Sequence, residues 1–387
     1  MKIFVLGGTG RFGQLTTRLL ARHDLVSGLV IGARNLDVAQ RVATELGDKA
    51  TAVHIDATQE ERLTSLVAEC DLLLNTSGPY TQTLLPAIRA AMRSRTHYCD
   101  LLEDGQDAEK VLALDAQAQT AGITALIGIG VFPGLTNLLA KHAAAQLEQV
   151  EELRVCIVLT IREPRQRLAA MRASGRISAS WESMLAAASG SPRIYREGHW
   201  VDLEALPTGV EVEMPLGRSV TAYPIRLSEA ITLPRYLPGV RTVSTLFSLL
   251  PPRADALFRA QAQRITAGEL EASQAVLSLF EALAAEPDEA LALPHGAPLV
   301  PIWVEALGLK AGRRAHYACW PTGSWASTEA ILATAALKLL RGEIRARGVV
   351  PPEAIFEPRP FFTEVAHWGA QELGAGEVLA ESLQWRN

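Results

Sequence analysis

A chain of 387 residues is about twice the usual single-domain length, so two domains are expected. Apolar residues make up 48% and charged residues 20%, which excludes a disordered tail and a fibrous repeat. With 37 Lys+Arg against 42 Asp+Glu, a net charge of −5 and no block of like charges, the footprint of nucleic-acid or membrane-surface binding is missing.

In chain order, Ile3 to Leu6 is a short β-rich run. The loop Gly7-Gly8-Thr9-Gly10-Arg11-Phe12-Gly13 follows, and then a helix to about Arg22. Leu29 to Ile31 reads as a second strand, Asp37 to Leu46 as a helix, and Thr51 to Ile55 as a third strand. After a helix from Glu60 to Glu69, the strand Asp71 to Asn75 ends at the breaker pair Gly78-Pro79. A helix through Arg93, a strand from His97 to Leu101, another helix and the apolar run Ile123 to Ile129 complete the series. Buried strands spaced by amphipathic helices predict an α/β fold, a Rossmann-type doubly wound parallel sheet.

Past Pro133-Gly134 the pattern changes. Thr136 to Leu147 reads as a helix and Leu153 to Ile161 as a long strand. Ser219 to Ile225 and Val300 to Glu305 are short strand candidates, and Leu270 to Ala285 looks helical, so a second, α+β domain is expected. Thr328 to Leu340 is a strong helix after Thr322-Gly323, and Pro351-Pro352 marks an exit into a tail. The expected division is 1–135 for nucleotide binding, 136–320 for substrate or dimer contacts, and 321–387 for a closing helix and tail. Four scattered cysteines, with no C-x-x-C pair and no His cluster at ligand spacing, argue against a metal site or disulfides and fit a reducing compartment. No start like a signal peptide and no apolar stretch long enough to span a bilayer are seen, so a cytoplasmic location is expected.

The glycine loop is the firmest chemical signal. Gly8-x-Gly10-x-x-Gly13 follows a predicted strand and opens a predicted helix, the context in which this spacing cradles a pyrophosphate. One glycine permits the turn, one lets the phosphates approach the backbone, and one lets helix and strand pack closely. The end of the second strand chooses the cofactor. An NAD site places a carboxylate there for the ribose 2′-hydroxyl, but Ala33-Arg34-Asn35 has none. Arg34 would meet a 2′-phosphate as a permanent planar cation, with Arg11 closing from the loop, so NADP is expected. Asp56, ending the third strand, either accepts from the adenine amino group or caps the following helix. Thr76-Ser77-Gly78-Pro79, at the carboxyl edge after the fourth strand, would let a nicotinamide lie against the backbone.

GGTGRFGQ, IGARN, NTSGPYTQTLLPAI, THYCDL and GIGVFPGLTNLLA, in this order and spacing, resemble the saccharopine dehydrogenase (saccharopine reductase) family most clearly over residues 1–140. ISASWESMLAAASGSPRIYREGHWVDLEAL and PTGSWASTEAILATAALKLLRGEIRARGVVPPE resemble its second domain and closing helix. The resemblance implies an NADP-binding Rossmann domain joined to an α+β substrate domain, and hydride transfer at a carbon–nitrogen bond of an amino-acid-like substrate. It also implies that Gly8, Gly10, Arg11, Phe12 and Gly13 hold pyrophosphate and that Arg34 and Asn35 hold the 2′-phosphate. Thr76, Gly78 and Pro79 would line the nicotinamide, and Tyr80 would face the substrate. Val131-Phe132-Pro133-Gly134 departs from the family's frequent Leu-Asp-Pro-Gly, which makes the pocket more apolar and puts saccharopine itself in doubt.

Tyr80, as a phenolic donor, and Asp100, at the end of the fifth strand, are the catalytic candidates. The competing readings are a packed aromatic for Tyr80 and a cap or structural acceptor for Asp100. Cys99 reads as a small buried residue and His97 as a surface His at a strand end. In the second domain Arg162, Arg165, Arg167, Arg172 and Arg176 either clamp a substrate carboxylate or form a solvated surface. Trp181 is either a pocket element or core. The function expected is an NADP(H)-dependent oxidoreductase acting on a C–N bond. The alternatives are an enoyl or carbonyl reductase and a non-catalytic NADP-binding regulator. A small-molecule substrate is the expected partner, with a homodimer open and neither nucleic acid nor a membrane span.

Overall fold

A computed structural model describes residues 1–293, 301–323, 325–369 and 378–386. The first part of the chain forms β1 (Lys2–Leu6), α1 (Arg11–Ala21), β2 (Gly28–Ala33), α2 (Leu36–Leu46) and β3 (Ala50–His54). Next come α3 (Glu60–Val67), β4 (Leu72–Asn75), α4 (Tyr80–Ser94) and β5 (His97–Asp100). The segment closes with α5 (Gly105–Leu112), α6 (Asp115–Ala121), β6 (Thr124–Leu126) and α7 (Leu135–Ala144).

The second part contains β7 (Gln149–Thr160), α8 (Pro164–Ser174), α9 (Ala179–Ser189), β8 (Arg193–Arg196) and β9 (His199–Asp202). It continues through β10 (Val210–Met214), β11 (Arg218–Pro224), α10 (Glu229–Tyr236) and β12 (Thr242–Leu250). After α11 (Pro252–Thr266) and α12 (Ala272–Ala285) come β13 (Ile302–Lys310) and β14 (Arg313–Pro321). The last elements are α13 (Thr328–Leu340), β15 (Gly348–Val350), α14 (Pro352–Ile355), α15 (Pro358–Gly369) and β16 (Leu379–Trp385).

Two compact units divide the chain. One is Met1–Leu138 with Thr322–Val378, and the other is Leu139–Pro321 with the strand from Leu379. The first holds a seven-stranded sheet in the order β15-β6-β5-β4-β1-β2-β3, with every pairing parallel. Its central strands are buried along their length, because helices cover both faces: Ile3, Phe4, Val5, Leu72, Leu73 and Leu74 are all solvent-free. Strand order reverses between β1 and β4, so the crevice outside their carboxyl ends is where a doubly wound sheet takes a ligand.

The C-terminal third differs from the sequence reading in two ways. Pro351-Pro352 opens α14 rather than a tail, and Gly348–Val350 adds a seventh strand, too short to show a period. α13 packs on α1 and reaches β4 and β5, which explains why its residues are apolar nearly all round. α15 packs on α13, and Phe362 lies 5.6 Å from Trp325 between ring centroids.

The second unit holds a mixed sheet in the order β10-β11-β12-β7-β13-β14-β16, with the β8–β9 hairpin attached to β12. β7 and β12 run parallel, and the other pairings are antiparallel. The strand expected from Val300 is β13; Val300 itself, Ser324 of the closing motif, and residues 370–377 and 387 of the tail lie outside the described residues. α8, α9, α11 and α12 pack together, with the half-buried Trp181 edge-on to Phe280 at 5.5 Å. Among the described residues no helix is long and apolar enough to cross a membrane.

Candidate functional site

The loop after β1 is built by its glycines. Gly7 sits at φ +80°, and a Cβ there would lie 2.7 Å from the Ser77 backbone. A Cβ on Gly13 would lie 2.5 Å from the Gly7 carbonyl oxygen and 2.7 Å from Thr76 Oγ1. These close approaches press the start of α1 onto the loop and the loop onto the turn after β4. The Gly10 amide donates to the Gly7 carbonyl at 2.9 Å, and the Gln14 side-chain amide donates to the Thr9 carbonyl at 2.9 Å. Gly10 is the N-cap of α1 and brings no side-chain acceptor to the helix start. A Cβ on Gly10 would meet just the Gly7 oxygen, at 3.2 Å. First-turn amides, a positive helix end and a glycine cradle fit a pyrophosphate.

At the carboxyl ends of β2 and β3, Arg34 and Asn35 are exposed, while Ala33 is buried. Asn35 Oδ1 accepts the Val38 amide at 3.1 Å and caps α2. Asp56 Oδ1 accepts the Thr58 amide at 2.9 Å and the Thr58 hydroxyl at 2.7 Å. Those bonds, chiefly the backbone one, hold its carboxyl below the usual range, and the charge of Arg34 adds to the effect. Asp56 thus closes the turn before α3 with one oxygen. The exposed Arg34 is the cation beside it.

The turn after β4 is tied from below. Asn75 is fully buried; its Oδ1 accepts the Ser77 amide at 3.1 Å and the Ser77 hydroxyl at 2.6 Å. Its Nδ2 donates to the Tyr98 hydroxyl at 3.0 Å, and that hydroxyl donates to Asp100 Oδ2 at 2.9 Å. Asp100 Oδ1 accepts the amides of Leu102 at 3.0 Å and Gly128 at 2.9 Å. One carboxylate therefore joins the ends of β4, β5 and β6.

The Tyr80 hydroxyl and the Asp100 carboxyl are both bonded within the protein, which fits the competing readings of these two catalytic candidates as a packed aromatic and a structural acceptor. Asp100 is fully buried with both oxygens bonded, and burial pushes its carboxyl up to about 6. The Tyr80 hydroxyl donates to the Asn75 carbonyl at 2.9 Å and accepts the Leu101 amide at 3.1 Å. Its one proton is committed, and burial raises the phenol well above its ordinary value. Tyr80→Phe should therefore cost the first unit about 1–3 kcal/mol by stranding two backbone groups. Chemical denaturation checks it. Unchanged stability with turnover down about a hundredfold would return the phenol to the chemistry.

Cys99 is fully buried and its thiol is pushed up by burial, which makes it inert. His97, expected on the surface, accepts the Thr124 amide on Nδ1 at 3.0 Å, and burial holds its imidazole low. Beyond β6, Gly130 donates to the Pro133 carbonyl and Leu135 to the Gly130 carbonyl, each at 2.9 Å. Asn137 Oδ1 takes the Gly134 amide at 2.9 Å, and its Nδ2 donates to buried Glu353 at 3.0 Å. Val131 and Phe132 are half-buried on this turn. In the other unit Arg162, Arg165, Arg167, Arg172 and Arg176 are all exposed; Arg165 pairs with Asp288 and Arg172 with Glu281. They form a solvated surface.

Asn75, Tyr98, Gly128 and Asn137 were missed as organisers of the site. Asn75 ending a buried apolar strand was the available signal, since an amide there needs partners.

Residues 3–126 match the family model of the saccharopine dehydrogenase NADP binding domain. A trans-acting enoyl reductase of Mycobacterium ulcerans is 28% identical over 201 residues, covering 50% of this chain and 47% of that protein. A trans-acting enoyl reductase of Mycobacterium leprae is 31% identical over 102 residues, 26% of this chain and 24% of that one. The chain spans at most about half the length of these curated relatives. The apo saccharopine dehydrogenase (L-Glu forming) of Saccharomyces cerevisiae superposes with a TM-score of 0.62 at 17% identity, covering 99% of each chain, which shows a common fold.

Proposed function

We propose, from the premise that the chain belongs to the saccharopine dehydrogenase family by its NADP-binding domain at residues 3–126, that it is an NADP(H)-dependent oxidoreductase. The observation that carries this reading is the start of α1, capped by a bare glycine and pressed by Gly7 and Gly13 onto the turn after β4. In this reading the loop Gly7, Gly8, Thr9, Gly10, Arg11, Phe12 and Gly13 holds the pyrophosphate through backbone amides. Arg34, with Arg11 and Asn35, takes the 2′-phosphate, while Ala33 and Asp56 flank the adenosine. Thr76, Ser77, Gly78 and Pro79 form the floor of the nicotinamide half. NADPH, when bound, supplies a hydride; the chain's own residues hold, orient and shield the reacting groups.

For the acceptor, the favoured reading is an enoyl group, reduced by hydride at its β-carbon while the α-carbon takes a proton from water. Two observations support it. The Val131–Gly134 turn carries no ionisable side chain, and the relatives matched by sequence are named enoyl reductases. The second reading is an imine or amine, supported by Pro79-Tyr80-Thr81, which resembles the saccharopine-forming enzymes.

The test is NADPH oxidation with a panel of an enoyl thioester, an imine formed from a 2-oxo acid and an amine, and a simple carbonyl. Turnover with the enoyl thioester, yielding a product two mass units heavier, is expected. Turnover confined to the imine would replace it with the second reading. Tight NADP+ binding with no turnover on any panel member would leave a non-catalytic regulator.

A further inference from the structure

We propose that Asn75 is a positioning residue for the cofactor-binding turn, and that Tyr98 and Asp100 behind it decide which end of its amide faces Ser77. The proposal rests on the reading that Thr76–Pro79 holds the nicotinamide half of NADP(H).

The chain of bonds has a direction. With Asp100 ionised, the Tyr98 hydroxyl donates to Oδ2, so its oxygen is open to the Asn75 Nδ2. Asn75 then presents Oδ1 to Ser77 and takes both its amide and its hydroxyl.

A proton on Asp100 would reverse the chain. Oδ1 already accepts two fixed backbone amides, from Leu102 and Gly128, so the proton must sit on Oδ2. There it donates to Tyr98, and the Tyr98 hydrogen turns towards Asn75. Asn75 satisfies Tyr98 by offering its oxygen, which swings Nδ2 onto the Ser77 amide. Two donors then face each other at the Ser77 amide, and the turn keeps only the Ser77 hydroxyl, which can turn to accept.

The surroundings leave this carboxyl as the group that titrates. Cys99 on the same strand and Tyr80 on α4 both sense the charge of Asp100, and burial keeps both neutral. Tyr98 stays protonated for the same reason and can act only as a relay. Glu103 lies beyond Tyr80, and α13, which packs on β5, carries Glu329 in its first turn. β4 and the β6 end offer Asn75 and the Gly128 amide, which do not ionise. Asp100 is pushed up to about 6, which puts the reversal between pH 5 and 8.

Asp100→Asn holds the reversed direction at every pH, because its oxygen takes the two backbone amides and its Nδ2 can only donate to Tyr98. The measurement is binding of NADP+ and of 2′,5′-ADP, which lacks the nicotinamide half, to the full-length wild type and variant at pH 5 and pH 8. Titration of each ligand's own phosphates is common to both proteins and cancels in their ratio. At pH 8 the variant should bind NADP+ about tenfold more weakly than wild type, the difference should close at pH 5, and 2′,5′-ADP should show none at either pH. Equal NADP+ affinity at pH 8, the same loss at both pH values, or an equal loss for 2′,5′-ADP would overturn the proposal. A wild type that binds neither ligand would instead contradict the cofactor reading.

Should Asp100→Asn not fold, Tyr98→Phe decides, since it cuts the relay while leaving Asn75 free to face Ser77. Its NADP+ affinity relative to wild type should rise about tenfold from pH 8 to pH 5. A constant ratio would overturn the proposal.

Discussion

Gly13→Ala is expected to weaken NADP+ binding by about a hundredfold or more, with the domain still folded. The added Cβ would sit 2.5 Å from the Gly7 oxygen and 2.8 Å from Gly8 Cα, both backbone, and 2.7 Å from Thr76 Oγ1. A side chain could rotate away; backbone must move. The Gly13 carbonyl is also held by the buried Thr17 hydroxyl, so the strain passes into α1 rather than being absorbed locally. Displacing the helix start from the loop misaligns amides that would donate to the pyrophosphate. Charge-assisted bonds of this kind contribute about 1.5–3 kcal/mol each, and the loss of two is about a hundredfold in affinity or more. Calorimetric titration, with circular dichroism to confirm folding, measures it. A folded variant binding within threefold of wild type would show that phosphates lie elsewhere.

Arg34→Ala is expected to weaken NADP+ by about tenfold or more and to leave NAD+ nearly unchanged. Wild type should prefer NADP+ over NAD+ by at least about tenfold, or roughly 1.4 kcal/mol. The reasoning is local. β2 ends in Ala33-Arg34-Asn35, with no carboxylate for a ribose 2′-hydroxyl. Asn35 spends its oxygen on capping α2, and Asp56 spends one oxygen on Thr58, so Arg34 is the side chain left exposed and cationic at this edge. Equal affinities, or a preference for NAD+, would contradict the assignment. A fall in both affinities would mean that Arg34 supports the fold rather than the phosphate.

What the sequence shows well is what burial on both faces makes continuous. Phe4-Val5-Leu6 and Leu72-Leu73-Leu74 can hardly be anything but central strands, and the glycine spacing between such a strand and a helix has few structural uses. β15 has three residues, and α14 begins at the same prolines that look like an exit, so neither has a period to detect. β11 is the candidate Ser219 to Ile225, whereas β9 and β10 have four and five residues, too few to show a period, and the strand order depends on pairings that no single stretch encodes.

The site residues divide along the same line. Gly7 and Gly13 are legible because a missing Cβ is itself the geometry. Tyr80 and Asp100 were placed at the right edge of the sheet, but direction decides the role of a polar group there. A hydroxyl donating to the Asn75 carbonyl and one aimed at a substrate are the same letter in a sequence. Burial distinguishes them, and for Asp100 it is complete.

The most direct measurement is a crystal structure of the chain grown with NADP+. The expected density places the pyrophosphate within hydrogen-bond distance of the amides of the Gly8–Gly13 loop, the 2′-phosphate against the Arg34 guanidinium, and the nicotinamide on the Thr76–Pro79 turn. Density for the cofactor away from the start of α1, or a 2′-phosphate turned away from Arg34 into solvent, would contradict it.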